Sequence, residues 1–141
     1  VKVHTNSEGT AAIRRLRQLG IRTCATGIHS VIEALAVEKA GADHAAIFIG
    51  LLGEVDENPT DALISSIRRA YDNGKAETRI MAAVRSVGQL VQCACSGADE
   101  MTAPHKIWKL FFQNGYTRDR WNAFIGDWKK AYGDRDWITG Y

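Results

Sequence analysis

Short apolar segments alternate with amphipathic ones along most of the chain. Residues 1–3 and 21–28 have the β-branched, apolar composition that is typical of strands. Gly20 predicts the end of a helix that lies between them. The first 28 residues therefore predict a strand, a helix and a second strand. The helix presents an apolar stripe with helical spacing, formed by Ala12, Ile13, Leu16 and Leu19.

The same order repeats in the rest of the chain. Ser30 and Glu33 have the spacing of a capping box and predict a helix that ends at Gly41. Residues 44–50 are almost continuously apolar, as expected for a strand that is covered on both faces. The remaining predicted features are a polar loop over 53–58, a helix that begins with Pro59 as its first residue, and a helix capped by Ser86 and Gln89. Strands are predicted over 79–84 and 98–103, and aromatic helices over 104–141.

Repeated strand, capped helix, glycine and strand indicate parallel βα units. Such units close either as a doubly wound sheet or as a (β/α)8 barrel. A dinucleotide site has no support because no G-x-G-x-x-G motif follows a strand. A barrel needs about three more strands, supplied upstream or by another chain. We expect one domain over residues 1–141, with a helical extension over 104–141.

Composition narrows the class of protein. A chain of 141 residues with 45% hydrophobic and 24% charged content is typical of one soluble globular domain. A net charge of +2 argues against nucleic acid or an anionic membrane as a partner. No apolar run approaches the roughly 18 residues of a membrane span, and no leader-like segment opens the chain. Three cysteines without a pairing pattern indicate a reducing compartment, which predicts the cytoplasm, and predict no metal or cofactor.

Lys2 is the first candidate for chemistry. It lies between two valines, which predicts a lysine on a buried strand. Burial disfavours the charged form of an amine and makes it a nucleophile able to form a Schiff base. The alternative is an exposed lysine in a frayed segment.

Several short motifs occur in an order that resembles the transaldolase family, which includes the small bacterial fructose-6-phosphate aldolases. They are Val1-Lys2-Val3, Glu8-Gly9, Gly20-Ile21 leading to Thr26, and Gly41-Ala42-Asp43 leading to residues 47–50. The resemblance covers essentially the whole chain. It implies a (β/α)8 barrel of which this chain holds strands four to eight and the C-terminal helices. It also implies a class I aldolase or aldol transferase that acts on a ketose or related carbonyl compound.

The resemblance assigns roles to three residues. Lys2 falls on the Schiff-base lysine, and Thr26 falls on the threonine that orients the catalytic water. As a β-branched residue, Thr26 alternatively just fills its strand. Phe48 matches an aromatic position that bears an acidic tyrosine in the fructose-6-phosphate aldolases. Since phenylalanine has no acid, proton transfer would come from a carboxylate on an early strand, and Phe48 would otherwise be core packing.

Other positions depart from the family pattern. Cys24 stands where an asparagine is usual, and Ala46 stands where a serine is usual. Leu51 and Val84 occupy the positions of the arginine and serine that hold the substrate phosphate, while Arg85-Ser86 lies close by but out of register. Apolar side chains cannot hold a phosphate dianion, so we predict a weak or absent sugar-phosphate site, with Arg85 restoring part of it or remaining a solvated rim charge.

The histidines and the terminal aromatics give weaker signals. Because side chains alternate along a strand, His4 is predicted on the same face as Lys2. There it would act as an acid or base, or alter the pKa of the lysine, or simply form a local hydrogen bond. The other histidines are interpreted as structural: His29, His44 and His105. An apolar stripe near the end of the chain predicts either a homo-oligomer interface or packing on the same subunit; it consists of Trp121, Phe124, Trp128 and Tyr132.

Three hypotheses follow from the sequence. The first is a transaldolase-like Schiff-base enzyme that acts on a non-phosphorylated or atypical carbonyl compound. The second is a half-barrel without activity of its own, which needs strands from a partner chain or a preceding segment. The third and least favoured is a phosphate-binding (β/α)8 isomerase, for which Ser86-Val87-Gly88 would make a poor phosphate loop.

Overall fold

The computed structural model describes residues 1–49 and 60–135. The predicted loop over 53–58, Pro59 and Leu51 lie outside the described residues. The chain divides into two compact units, Val1–Ile107 and Trp108–Tyr141. The first unit holds all the predicted site residues.

The described elements follow the predicted order. The strands are β1 (Lys2–His4), β2 (Cys24–Ile28), β3 (His44–Phe48), β4 (Arg79–Ala83) and β5 (Glu100–Thr102). The helices are α1 (Ser7–Gln18), α2 (Val31–Ala40), α3 (Thr60–Gly74), α4 (Val87–Cys95), α5 (His105–Phe111) and α6 (Gly115–Tyr132). Most strands are shorter than predicted, because apolar composition extends beyond the residues that pair with a neighbouring strand.

The strands form one parallel sheet in the order β1-β2-β3-β4-β5. Right-handed crossovers between consecutive parallel strands place every connecting helix on the same face. Alternate strand residues on that face, such as Ala25, Ala45 and Ile80, are fully buried with helix residues Val37 and Ile67. A sheet wound in one direction with helices on one face is the (β/α)8 type of architecture, here as five βα units.

Local capping signals are confirmed. The Ser30 hydroxyl oxygen accepts a hydrogen bond from the Glu33 backbone N–H at 3.3 Å, and Ser86 caps α4 in the same way through Gln89 at 3.1 Å. Gly41 follows α2 in the left-handed conformation, with φ of 90°. These signals are predictable from sequence because each depends on residues only a few positions apart.

The stripe predicted on α1 is only partly buried. Ile13 is fully buried, but Leu19 is 67% exposed. Leu19 follows the last turn of α1. Since α1 accompanies the edge strand β1, no further helix of the described chain flanks α1 on that side.

A buried hydrogen bond joins α2 and α3. The Tyr71 hydroxyl donates to the Ala34 carbonyl at 2.7 Å, and burial raises the pKa of this tyrosine.

The sequence Gly-Ala-Asp occurs twice just before a strand, and it forms the same latch each time. The Asp43 carboxylate accepts a hydrogen bond at 2.7 Å from the Thr23 backbone N–H, which precedes β2. The Asp99 carboxylate likewise accepts one at 2.7 Å from the backbone N–H of Ile80 in β4. Each latch ties the start of one strand to the strand before it at the amino edge of the sheet.

The second unit is built around α6, which has no buried residue. Its aromatic side chains include Trp121 at 50% and Phe124 at 54% exposure. The Arg120 guanidinium lies 5.1 Å from the centre of the Phe124 ring, a cation–π contact. Trp128 Nε1 donates to the Arg135 carbonyl at 3.0 Å. Among the described helices, none is long and apolar enough to cross a membrane.

The sheet contains one irregularity near the carboxyl edge of β2. Thr26 pairs with Ala46 and Ile28 pairs with Ile47, so Gly27 is an unpaired residue in a bulge. Gly27 has φ of +77°, a conformation that side chains rarely adopt. A Cβ atom at this position would lie 3.2 Å from Nε2 of His4. The bulge therefore provides the space in which the His4 ring lies.

Replacing Gly27 by alanine tests this use of space. We expect Gly27→Ala and Gly20→Ala each to lower the free energy of unfolding by about 1–2 kcal/mol, because both glycines have positive φ. Gly20 has no heavy atom within 4 Å of an added Cβ, so it is the matched control. Only Gly27→Ala should shift the ring signals of His4 in NMR spectra. Unchanged His4 signals would show that the ring does not depend on the bulge.

Candidate active site

Predicted site residues share the sheet face opposite the helices. Lys2 pairs with Cys24, and the next row along the strands is His4, Thr26 and Ala46. Side chains alternate along a strand, so these rows point to the same side. Lys2, His4, Cys24, Thr26, Ala46 and Phe48 thus lie on one surface.

The prediction that Lys2 lies on a buried strand is wrong for the described chain. Its side chain is exposed. The reason is topological: among the described residues β1 is an edge strand that pairs only with β2. Two flanking valines indicate a strand, but they do not determine which face of the sheet is covered.

Cys24 lies directly beside Lys2 in the register and is half-buried. Burial raises the pKa of the Cys24 thiol, and the positive charge of Lys2 offsets part of this effect. Glu100 adds to the rise. The thiol is therefore protonated at neutral pH.

Thr26 has a buried hydroxyl without a hydrogen bond to the described residues. Its backbone carbonyl, in contrast, accepts two bonds of 2.9 Å, from the backbone N–H and the side-chain hydroxyl of Thr5. Burying an unbonded hydroxyl costs about 1–3 kcal/mol, so such groups usually have a partner. The Thr26 hydroxyl is thus a polar group that still lacks a hydrogen-bond partner among the described residues.

Two histidines meet at the Gly27 bulge. The ring of His4 lies over the α-carbon of Gly27. Nδ1 of His29 lies 3.2 Å from the Gly27 carbonyl oxygen. The His29 ring also packs edge-on against Phe48, with 5.7 Å between ring centres and 72° between ring planes. The sequence interpretation of His29 as structural missed this contact, although its place directly after a strand was a usable signal, since active-site residues in this architecture follow the strand ends.

A pocket of about 290 Å³ opens on the other side of Phe48, at the carboxyl edge of β3, β4 and β5. Arg85 lines it, whereas Ser86 is engaged as the cap of α4. Val84 is 2% exposed and faces the helices. Because side chains alternate along the chain here, the side chain of Arg85 lies on the open face. The full lining is Phe48, Ala83, Val84, Arg85, Thr102, Ala103 and Pro104.

At the amino edge, the same face carries a fixed polar cluster that sequence reasoning did not identify. The Glu100 carboxylate accepts a hydrogen bond from Nδ1 of His44 at 2.9 Å and pairs with Arg79 at 3.1 Å. These three residues begin three adjacent strands, and only the register shows that they meet. In the described ranges, no group of three or more histidine, cysteine or acidic side chains is placed to hold a metal ion.

Comparison with known proteins agrees with this architecture. A probable transaldolase of Desulfotalea psychrophila is 37% identical over 131 residues, which are 92% of this chain and 61% of that protein. A probable transaldolase of Coprothermobacter proteolyticus is 33% identical over 134 residues, 94% of this chain and 61% of that protein. The chain thus spans about three fifths of the length of the curated relatives it matches.

The similarity of this chain to a solved structure supports the fold and carries no information about function. FabK from Thermotoga maritima superposes with a TM-score of 0.55 and 22% identity, covering 73% of this chain and 32% of that protein. The family model for transaldolase/fructose-6-phosphate aldolase matches residues 1–135. With a match of that extent, this chain belongs to the transaldolase/fructose-6-phosphate aldolase family.

Proposed function

We propose that this chain belongs to a transaldolase-like class I aldolase or aldol transferase, with Lys2 as the nucleophile. The amine of Lys2 attacks the carbonyl carbon of a ketose, water leaves, and an iminium forms. The iminium accepts the electron pair of the carbon–carbon bond as that bond breaks. In the reverse direction the same step forms the bond.

The unbonded hydroxyl of Thr26 is the observation that carries this proposal. Strand geometry places the α-carbons of Lys2 and Thr26 about 8 Å apart, on adjacent strands and one row apart. A hydroxyl both donates and accepts, so it suits a water molecule that must add to and leave the reacting carbon. The Thr23 hydroxyl is also buried and unbonded in the described chain, but Thr26 is the one that shares a sheet face with Lys2.

The proposed substrate carries no essential phosphate. Arg85 is the one cation among the described side chains that line the pocket, and it is exposed. A phosphate dianion is usually held by several charge-assisted hydrogen bonds, of which an exposed guanidinium supplies few. Substrate contacts are proposed for Phe48 and Arg85 at this pocket, with Ser86 at its rim, and for Cys24 on the open face. Ala46 shares that face but is only 1% exposed, so a contact with it is limited to its surface methyl group.

The competing proposal is a half-barrel that is inactive without further strands. In the described chain β1 and β5 have one strand neighbour each, so each leaves a row of backbone groups unpaired. A preceding segment or a partner chain would pair with these edges and cover Lys2. The exposed aromatic residues of α6 are proposed to form a homo-oligomer interface.

Reductive trapping tests the proposed nucleophile. Borohydride reduction of the native protein with dihydroxyacetone should leave a covalent adduct, located on Lys2 by peptide mass mapping. Lys2→Met should abolish the adduct, whereas Lys39→Met, which alters a lysine whose side chain is 67% exposed on α2, should retain it. An adduct only elsewhere would refute the role of Lys2. An adduct that appears only after a partner chain is added would favour the half-barrel.

Thr26→Val tests the role of the hydroxyl. We expect kcat for ketose cleavage to fall about 100-fold with little change in KM, since the hydroxyl acts at the reacting atoms. Stability should not fall, because the lost hydroxyl has no protein partner in the described chain. Thr78→Val is the matched control: its buried hydroxyl donates to the Ala42 carbonyl at 2.6 Å, so its loss should cost about 1 kcal/mol in urea unfolding without affecting kcat.

Steady-state kinetics with fructose and fructose 6-phosphate test phosphate independence. We expect Arg85→Gln to change kcat/KM for the phosphate ester by less than about fivefold, the effect of an exposed ion pair. The value for fructose should not change. A hundredfold preference for the ester that disappears in Arg85→Gln would establish a phosphate site instead.

A further inference from the structure

We propose that His29 transfers the proton that Phe48 cannot supply. This inference rests on the proposed function and adds a catalytic residue to it. Cleavage of the carbon–carbon bond requires removal of a hydroxyl proton from the carbon that becomes the aldehyde. Phe48 occupies the carboxyl edge of β3 next to the pocket and has no group that titrates. His29 is the titratable side chain that touches the Phe48 ring in the described chain.

His29 lies at the edge of the sheet where an acid–base residue is expected in this architecture. It directly follows β2, the strand that carries Thr26, and thus lies at the carboxyl edge where this architecture places its chemistry. Phe48 lies between His29 and the pocket lined by Arg85. His29 follows the strand that carries Thr26, and Lys2 lies on the neighbouring strand β1.

A hydrogen bond fixes which ring nitrogen is basic. Nδ1 of His29 lies 3.2 Å from the carbonyl oxygen of Gly27. Because a carbonyl oxygen can only accept, Nδ1 carries the proton in this contact, and Nε2 of the neutral ring retains its lone pair. Nε2 makes no hydrogen bond to the described residues, so it is the nitrogen available to a substrate hydroxyl.

Glu33 holds the backbone of His29 in place. Its carboxylate accepts a hydrogen bond of 2.9 Å from the backbone N–H of His29, and this bond lowers the pKa of the Glu33 carboxyl. The bond from Ser30 lowers it further. These bonds tie the backbone of His29 and the hydroxyl of Ser30 to the first turn of α2.

The step balances without a further reactant. Nε2 of His29 takes the hydroxyl proton, the O–H electron pair forms the aldehyde C=O bond, and the carbon–carbon bond breaks. Its electron pair moves to the iminium on Lys2, which becomes an enamine. In bond formation the imidazolium returns the proton to the developing alkoxide.

His4 is the competing histidine. Its ring lies over Gly27, and it is one row from Lys2 on the same face. If His4 acts on the reactivity of the Lys2 amine, its loss will affect formation of the Schiff base. If His29 transfers the proton, its loss will affect cleavage of the carbon–carbon bond, which follows Schiff-base formation. The two roles are therefore separable by measuring both steps in the same variants.

The experiment compares His29→Phe, His29→Asn and His4→Phe in the native protein, with His105→Phe as the control for an exposed histidine outside the site. Borohydride trapping with dihydroxyacetone reports Schiff-base formation, and aldehyde release from fructose reports cleavage. Both His29 variants should form the Lys2 adduct at the wild-type rate but cleave about 100-fold more slowly. Their rates should also lose the pH dependence that imidazoles give between about pH 5 and 8.

Recovery of cleavage by a second substitution distinguishes a catalytic role of His29 from a structural one. Phe48→Tyr introduces a hydroxyl acid beside the lost imidazole, and in the His29→Phe background it should restore cleavage at least about tenfold. Wild-type cleavage in both His29 variants would overturn the role of His29 but leave the proposed function standing. Loss of cleavage in His4→Phe with its adduct intact would have the same meaning, because it would assign the proton transfer to His4. Absence of a Lys2 adduct in the unmodified protein would overturn the proposed function together with this inference.

Discussion

Backbone pairing between β1 and β2 is the constraint on which the proposed chemistry depends. This pairing sets Lys2 beside Cys24 and His4 beside Thr26. It is reinforced past the end of β1, where Thr5 gives two hydrogen bonds to the Thr26 carbonyl. A slip of one residue would turn the Thr26 hydroxyl toward the helices and separate it from the lysine. The same bonds that hold the register leave the hydroxyl itself unengaged.

The two ends of the open face differ in character. At the amino edge, Glu100 is engaged by both His44 and Arg79, so these polar groups are satisfied by one another. Toward the carboxyl edge, the hydroxyl of Thr26 and Nε2 of His29 have no partner among the described residues. On this face, therefore, the charged groups of the amino edge bond to one another, and the two groups without a protein partner lie toward the carboxyl edge, where this architecture places its chemistry.

Features set by neighbours in sequence were predictable, and features set by neighbours in space were not. The caps at Ser30 and Ser86 and the parallel strand order follow from local spacing and from helix and strand periodicity. The exposure of Lys2 depends on what covers the sheet, which no local pattern encodes. The contact of His29 with Phe48 depends on a bulge at Gly27 that breaks the register of two strands 20 residues apart in the chain.

The paired Gly-Ala-Asp latches have a consequence for how this protein can diverge. Each aspartate bonds to a main-chain amide, not to a side chain, so its hold does not depend on which amino acid stands at position 23 or 80. Proline alone lacks the required donor. The residues whose backbone N–H groups bond to these aspartates can therefore be substituted while the alignment of the strands is preserved. Residues at the carboxyl edge can then change without disturbing the strand alignment that the latches maintain.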